Sequence, residues 1–168
     1  MTKNIVLVGF MGAGKSVVSK QLAVRLKRQR VSTDELIEKK EGKVISDIFR
    51  DKGEPYFRDL EKAVVSELAT KGGLIIDCGG GIVLASQNVD NLKKNGVMFF
   101  LAVSPRTIYE RVKHEKHRPL LAVADPQKQI TELLVQRKPL YAKADVRIET
   151  EGKSVEQICE EIIKRMQV

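Results

Sequence analysis

Eight residues near the N-terminus, Gly9-Phe10-Met11-Gly12-Ala13-Gly14-Lys15-Ser16, have the types and spacing to hold a phosphate. They follow the pattern G-x-x-x-x-G-K-[ST] of a phosphate-binding P-loop. Glycines in such a loop let the chain curl so that successive N–H groups point inward around an anion. A helix opening near Lys15 adds the positive end of its dipole. Lys15 can reach the β- and γ-phosphates of a nucleotide, and the Ser16 hydroxyl can ligate Mg²⁺. Gly12, Ala13, Gly14, Lys15, Ser16 and Val17 are therefore candidate nucleotide contacts. A chance glycine turn would lack the flanking context, which is present here: an apolar run at 4–8 before the loop, and Val18, Leu22 and Leu26 at helical spacing after it.

Other residues could supply the rest of a group transfer. Asp34 ends a short β-prone stretch, and two readings stand: it caps the next helix, or it accepts a proton or hydrogen bond from a substrate hydroxyl. Gly79-Gly80-Gly81 is more than a bare turn needs, and suits close approach of backbone to a ligand. Arg58 lies one step off a buried stripe and reads either as a solvated cation or as a ligand clamp. Arg137 falls seven residues after Ile130 and three after Leu134, on the apolar side of its helix, so it needs a cleft or a partner. Arg118 sits in an irregular stretch, His114 to Ala124, that reads as a partly mobile lid carrying a cation. His114 and His117 have no companions at metal-ligand spacing. Cys78 and Cys159 read as small core residues rather than nucleophiles.

These residues need elements to hold them. Strands are expected near 4–8, 30–33, 74–78, 97–101 and 145–149, with helical stripes between them. The helix after Gly53 begins at Pro55 and buries Phe57, Leu60, Val64 and Leu68. Ser104-Pro105 caps and starts another, and Pro139 is expected to kink or end the helix carrying Arg137. Strands alternating with helices argue for a doubly wound parallel sheet, in which ligands bind beyond the carboxyl ends of the strands. The P-loop, Asp34 and the three glycines each follow a strand, so they should meet there.

Composition narrows the class. With 168 residues, 42% hydrophobic and 31% charged, the chain is expected to form one soluble domain with a proper core. No run is long enough to span a bilayer, no signal peptide is evident, and two cysteines without redox spacing fit a reducing cytoplasm. The net charge of +8 suits anionic small molecules. Lys and Arg are dispersed and aromatics are only 5%, which argues against a nucleic-acid platform.

Collected in order, the P-loop, Thr33-Asp34, the run Gly53-Glu54-x-x-Phe57-Arg58-x-x-Glu61, Gly79-Gly80-Gly81, Arg118-Pro119-Leu120-Leu121 and Arg137-x-x-x-Tyr141 resemble the shikimate kinase family over nearly the whole length. The resemblance implies a three-layer α/β/α fold around five parallel strands, of the nucleoside monophosphate kinase type. It implies a single kinase domain over 1–168, with substrate-binding helices at about 33–61 and a mobile lid at about 113–124. The implied activity is phosphoryl transfer from ATP, with Mg²⁺, to the 3-hydroxyl of shikimate, in aromatic amino-acid biosynthesis, by a cytoplasmic monomer. Lys15, Asp34 and Arg118 would be catalytic. Asp34, Arg58, Gly79, Gly80, Gly81 and Arg137 would bind shikimate, the two arginines through its carboxylate. Arg111 and Arg118 would join the P-loop in binding ATP, Arg111 against adenine.

Two departures stand out. The family usually shows Asp-x-Asp after the second strand, and Ser32 takes the first position here. Two residues before the three glycines, where a small or hydroxyl residue is common, stands Asp77. We expect Asp77 to supply, through water, the metal-supporting carboxylate missing at Ser32. The loop Thr150-Glu151-Gly152-Lys153-Ser154 is short and lacks the proline expected on the adenine side. Gluconate and nucleoside monophosphate kinases share the P-loop and lid, and a non-catalytic P-loop binding module is the reading from another class.

Overall fold

The computed structural model describes residues 2–115 and 123–166. Five parallel strands stand in the order β2-β3-β1-β4-β5. They are β1 (Asn4–Val8), β2 (Arg30–Ser32), β3 (Ile75–Asp77), β4 (Gly96–Ala102) and β5 (Val146–Glu149). β1 is central because it is apolar on both faces: Ile5, Val6, Leu7 and Val8 are all fully buried. Each such side chain contributes about 1.5–3 kcal/mol of burial. Its one polar member, Asn4, is also buried, and it is satisfied by donating to Lys71 O at 2.8 Å and accepting from Leu74 N at 2.8 Å.

Alternation along β1 builds two cores. Val6 and Val8 join Phe57, Val64, Leu68, Met98 and Tyr141 on one face, whereas Ile5 and Leu7 join Val18, Leu22, Phe99, Ile158 and Ile162 on the other. The second face is covered by α1 (Lys15–Leu26) and α7 (Val155–Met166). The first is covered by α2 (Thr33–Glu41), α3 (Ile45–Ala69) and α4 (Ser86–Lys94). A small third cluster, Phe10 with Ile108, Val112 and Ile130, fastens α5 (Pro105–Val112) and α6 (Pro126–Tyr141) to the P-loop. This is the expected three-layer α/β/α architecture.

Local chemistry sets the helix ends. Ser32 caps α2 by accepting from Glu35 N at 3.3 Å, and Ser104 caps α5 by accepting from Thr107 N at 3.2 Å with Pro105 next. The helix expected after Gly53 is continuous with a helical segment before it, as one run, α3, broken at Gly53, whose φ of 79° and ψ of 170° are not helical. A non-glycine side chain there would be strained. A 3-10 turn at Ile82–Leu84, not anticipated, follows the glycines. The helix α6 passes through Pro139 and ends only at Tyr141. The proline lies in the last turn and deprives Val135 O of its donor, and Val135 is 67% exposed, so water can take that place. Of the lid expected at 113–124, residues 116–122, and with them Arg118 and His117, lie outside the described residues. No described helix is long and apolar enough to cross a membrane.

Candidate active site

The carboxyl ends of β1, β2 and β3 open onto two adjoining cavities, of about 350 and about 540 Å³. The smaller is lined by Gly12, Gly14, Lys15, Ser16, Val17, Asp77, Cys78, Arg111 and Glu115. The larger is lined by Glu38, Val44, Ile45, Phe49, Phe57, Arg58, Glu61, Gly81 and Arg137. Met11, Asp34, Gly79 and Gly80 line both, so Asp34 stands where the two spaces meet.

The smaller cavity is a phosphate cradle. Gly14 precedes α1 with φ of 93°, and Gly12 has φ of 75°. Lys15 lies across the loop, its Nζ donating to Gly9 O at 2.8 Å and Phe10 O at 3.0 Å. Ala13 is buried and donates its N–H to Phe10 O at 3.1 Å. Arg111, from the last turn of α5, donates to Gly12 O at 2.9 Å and so borders the cradle.

Asp77, at the end of β3, is buried and faces the same cavity. It pairs in register with Ser32 on β2. In-register residues of parallel neighbours project to the same face, so the two positions are equivalent places from which to present an oxygen. Asp77 Oδ2 accepts from Arg30 Nη2 at 2.7 Å and from Ser19 Oγ at 3.3 Å. Arg30 is in turn paired with Glu35 at 3.0 Å. This network was not anticipated, because it depends on strand register rather than on local sequence. Cys78 also borders the cavity, and burial pushes its thiol well up, which removes it as a nucleophile.

The larger cavity is organised by charge pairs. Arg58 donates to Glu61 Oε2 at 2.6 Å and, through Nε and Nη2, to Glu54 Oε1 at 3.2 and 2.9 Å. The solvated reading of Arg58 therefore fails, because its side chain is only 19% exposed. Arg137 is buried, donates to Gly80 O at 3.3 Å, and lies over the Phe10 ring at 5.5 Å. Tyr141, one turn later, donates to the same Gly80 oxygen at 2.8 Å and stacks on Phe100 at 4.7 Å. Gly79 N donates to Thr33 Oγ1 at 2.9 Å. The glycine turn is thereby pinned from α2 on one side and α6 on the other.

Packing explains two of the three glycines. A Cβ at Gly79 would lie 2.5 Å from Asp34 Oδ1, and one at Gly81 would lie 2.7 Å from Arg58 Nη2. Any side chain there would displace the two residues that face the cavity.

Asp34 does not cap α2, since Ser32 does. Burial raises its proton affinity, opposed by Lys15 and reinforced by Asp77 and Glu38. Glu61 is raised by the same cause, opposed mainly by Arg58. Beyond its place in the Gly53–Glu61 motif, Glu61 carries a signal of its own: it follows Phe57 by four and precedes Val64 and Val65 on the buried stripe, and a carboxylate in such a position demands a cation.

Comparison with known proteins gives one family. A family profile described as shikimate kinase matches residues 11–167. A shikimate kinase of Persephonella marina is 48% identical over 98% of this chain and 99% of its own, and one of Thermodesulfovibrio yellowstonii is 48% identical over 96% and 94%. The structure of the shikimate kinase from Acinetobacter baumannii in complex with shikimate superposes with a TM-score of 0.95 at 35% identity, covering 99% of this chain and 94% of that one. A gluconokinase from Sinorhizobium meliloti, at 17% identity and TM-score 0.59 over 98% of this chain and 91% of its own, shares the fold alone.

Proposed function

Because the chain belongs to the shikimate kinase family, we infer that it transfers the γ-phosphoryl group of ATP to the 3-hydroxyl of shikimate, giving shikimate 3-phosphate and ADP. The observation that carries the site assignment is the shared wall of the two cavities. Asp34, Gly79 and Gly80 border a phosphate cradle on one side and an arginine-bearing, partly apolar pocket on the other. A donor in the first and an acceptor in the second would have their reacting ends at Asp34.

In this reading Arg58 and Arg137 hold the shikimate carboxylate, since a planar guanidinium matches a planar anion. The Arg58 edge now turned to exposed Glu54 is the one an incoming carboxylate would take. Asp34 and the Gly80 N–H hold the ring hydroxyls, with Gly79 and Gly81 giving them room. As the 3-hydroxyl oxygen bonds to the γ-phosphorus, its proton passes to Asp34 and the bond to the bridging oxygen of ADP breaks. Lys15 and the N–H groups of Gly12 to Val17 offset the charge on the phosphates. Arg111 would border the nucleotide base, and Arg118, as the family resemblance implies, would add a cation at the phosphates.

The donor set in the cradle fits Mg²⁺: a hydroxyl at Ser16 and a buried carboxylate at Asp77 are hard oxygen ligands. Ser16 would hold the ion directly and Asp77 through water, with Arg30 and Ser19 fixing Asp77. Bound there, the ion would neutralise charge on the transferred group. The reading is of a monomer in the cytoplasm, and the two buried, unpaired thiols suit a reducing compartment.

A coupled ADP-release assay across shikimate, gluconate and nucleoside monophosphates tests the assignment. Turnover is expected with shikimate alone. Turnover that ignores shikimate, or none with it, overturns the reading.

A further inference from the structure

Among the described residues, two buried carboxylate oxygens lack any hydrogen-bond partner, Asp34 Oδ1 and Glu61 Oε1. They converge on one place. A carbon added at Gly79 would lie 2.5 Å from the first and 3.3 Å from the second. The two groups arrive there from different helices, α2 and α3, and Glu61 is only 1% exposed. Two anionic oxygens directed at the same apolar Cα–H would be costly if both stayed charged and unsolvated.

The surrounding charges do not remove that cost. Asp34 is faced by Lys15 of the P-loop and Arg58 of α3, but also by Asp77 of β3 and Glu38 of its own helix. Glu61 is faced by Arg58 on its own helix, Arg137 of α6 and Asp34 of α2. Arg58 satisfies only Glu61 Oε2, and spends its other edge on Glu54. Both carboxyls are consequently displaced in the same direction, toward binding a proton.

We propose that Asp34 and Glu61 form one proton-sharing carboxyl pair, which takes up a proton when the carboxylate of shikimate enters the arginine clamp. This rests on the clamp reading of Arg58 and Arg137 given above. The incoming anion draws on the two cations that now offset Glu61, so the pair's proton affinity rises further on binding. Interacting groups titrate as a unit, and the unit gains up to one proton. That proton resides on Glu61, leaving Asp34 ionised to receive the hydroxyl proton. Glu61 thus acts as a positioning and tuning residue for the base, beyond its pairing with Arg58. A bridging water in place of the shared proton would satisfy both oxygens without any uptake, and the test separates the two.

Titration calorimetry of shikimate into the nucleotide-free enzyme, near neutral pH in PIPES and in Tris, reads the proton directly. The observed enthalpy should vary with the buffer's ionisation enthalpy, with a slope between zero and one proton taken up. Glu61→Gln and Asp34→Asn should each lower that slope toward zero while circular dichroism stays native. Binding by the wild-type enzyme with a zero slope overturns the proposal and leaves the clamp intact. A slope unchanged in both folded variants also overturns it. Absence of any binding heat, together with no effect of shikimate on melting temperature, overturns the clamp instead.

Discussion

The two cavities that meet at Asp34 are made in different ways. The phosphate cradle is largely one contiguous segment, Gly9 to Val17, and its working parts are backbone N–H groups and a helix end. The acceptor pocket gathers side chains from α2, α3, the glycine turn and α6, and its two arginines are already engaged: Arg58 in ion pairs with Glu54 and Glu61, Arg137 in a hydrogen bond to the Gly80 carbonyl. A backbone site is set by local conformation and tolerates sequence change around it. A side-chain site depends on long-range packing, and each of its residues can be removed singly with a measurable loss. Specificity should therefore lie almost wholly on the acceptor side.

Asp34 belongs to both cavities and should give the largest effect. Asp34→Asn is expected to lower kcat by about 10²–10⁴, the range for losing a general base, while the Kd for ADP changes little. A loss below tenfold would remove Asp34 from the chemistry.

Arg137→Ala separates the two sides. A charge-assisted hydrogen bond is worth about 1.5–3 kcal/mol, so the KM for shikimate should rise about 10–150-fold while that for ATP stays within about twofold. Equal rises in both constants would mean that Arg137 supports the fold rather than the acceptor.

The converse variant is Asp77→Asn. Outer-shell partners of a metal are worth about 10–100-fold in its affinity, so Mn²⁺ binding followed by electron paramagnetic resonance, with ADP present, should weaken on that scale. Ser32→Asp in the same chain should recover part of it, because the two positions are in register. An unchanged metal isotherm would leave Asp77 as only the partner of Arg30.

A smaller effect is expected at Tyr141→Phe. The ring can keep its stack on Phe100, and only the bond to Gly80 O is lost. One neutral hydrogen bond of about 0.5–1.5 kcal/mol translates to a rise in shikimate KM of about 2–10-fold, with melting temperature lowered only slightly. A KM that does not move would show that Arg137 suffices to hold the Gly80 oxygen from the α6 side.

The smallest effect is on stability, and its sign follows from Asp34. Its proton affinity is raised in the folded state by burial. The folded state is therefore free of the penalty below the unfolded value of about 4, and acquires it as pH rises through the folded value. Asn carries no such penalty. Asp34→Asn should melt above wild type at pH 8 and by a smaller margin at pH 4. A margin independent of pH would argue against a raised Asp34.

The same contrast governs what the sequence made legible. The phosphate loop itself could be read because its strand, loop and helix are consecutive and its glycines have few other uses. Arg137 was legible through helical period alone. Asp34 could be placed at a strand end, but the choice between cap and site needed the Ser32 hydroxyl, seen on Glu35 N only in three dimensions. The tie from Tyr141 to Gly80 spans 61 residues, and the Arg30–Asp77 pair depends on the register of β2 against β3. No local pattern encodes either. The 3-10 turn after the glycines was hidden because Ile82, Val83 and Leu84 carry no turn chemistry of their own.

The position of β1 has a consequence for how the chain acquires its shape. Although β1 is the first strand made, its two neighbours are β3 and β4, which end at Asp77 and Ala102. Loop closure over such separations slows pairing and raises contact order. At a synthesis rate of about 5–20 residues per second, the N-terminal strand waits about 5–20 s for its second flank. The phosphate loop, whose ring of N–H groups hangs from that strand, is thus among the first segments translated and among the last to become competent. A nascent chain shorter than β4 should be unable to hold nucleotide, and early occupancy by ATP cannot template its folding.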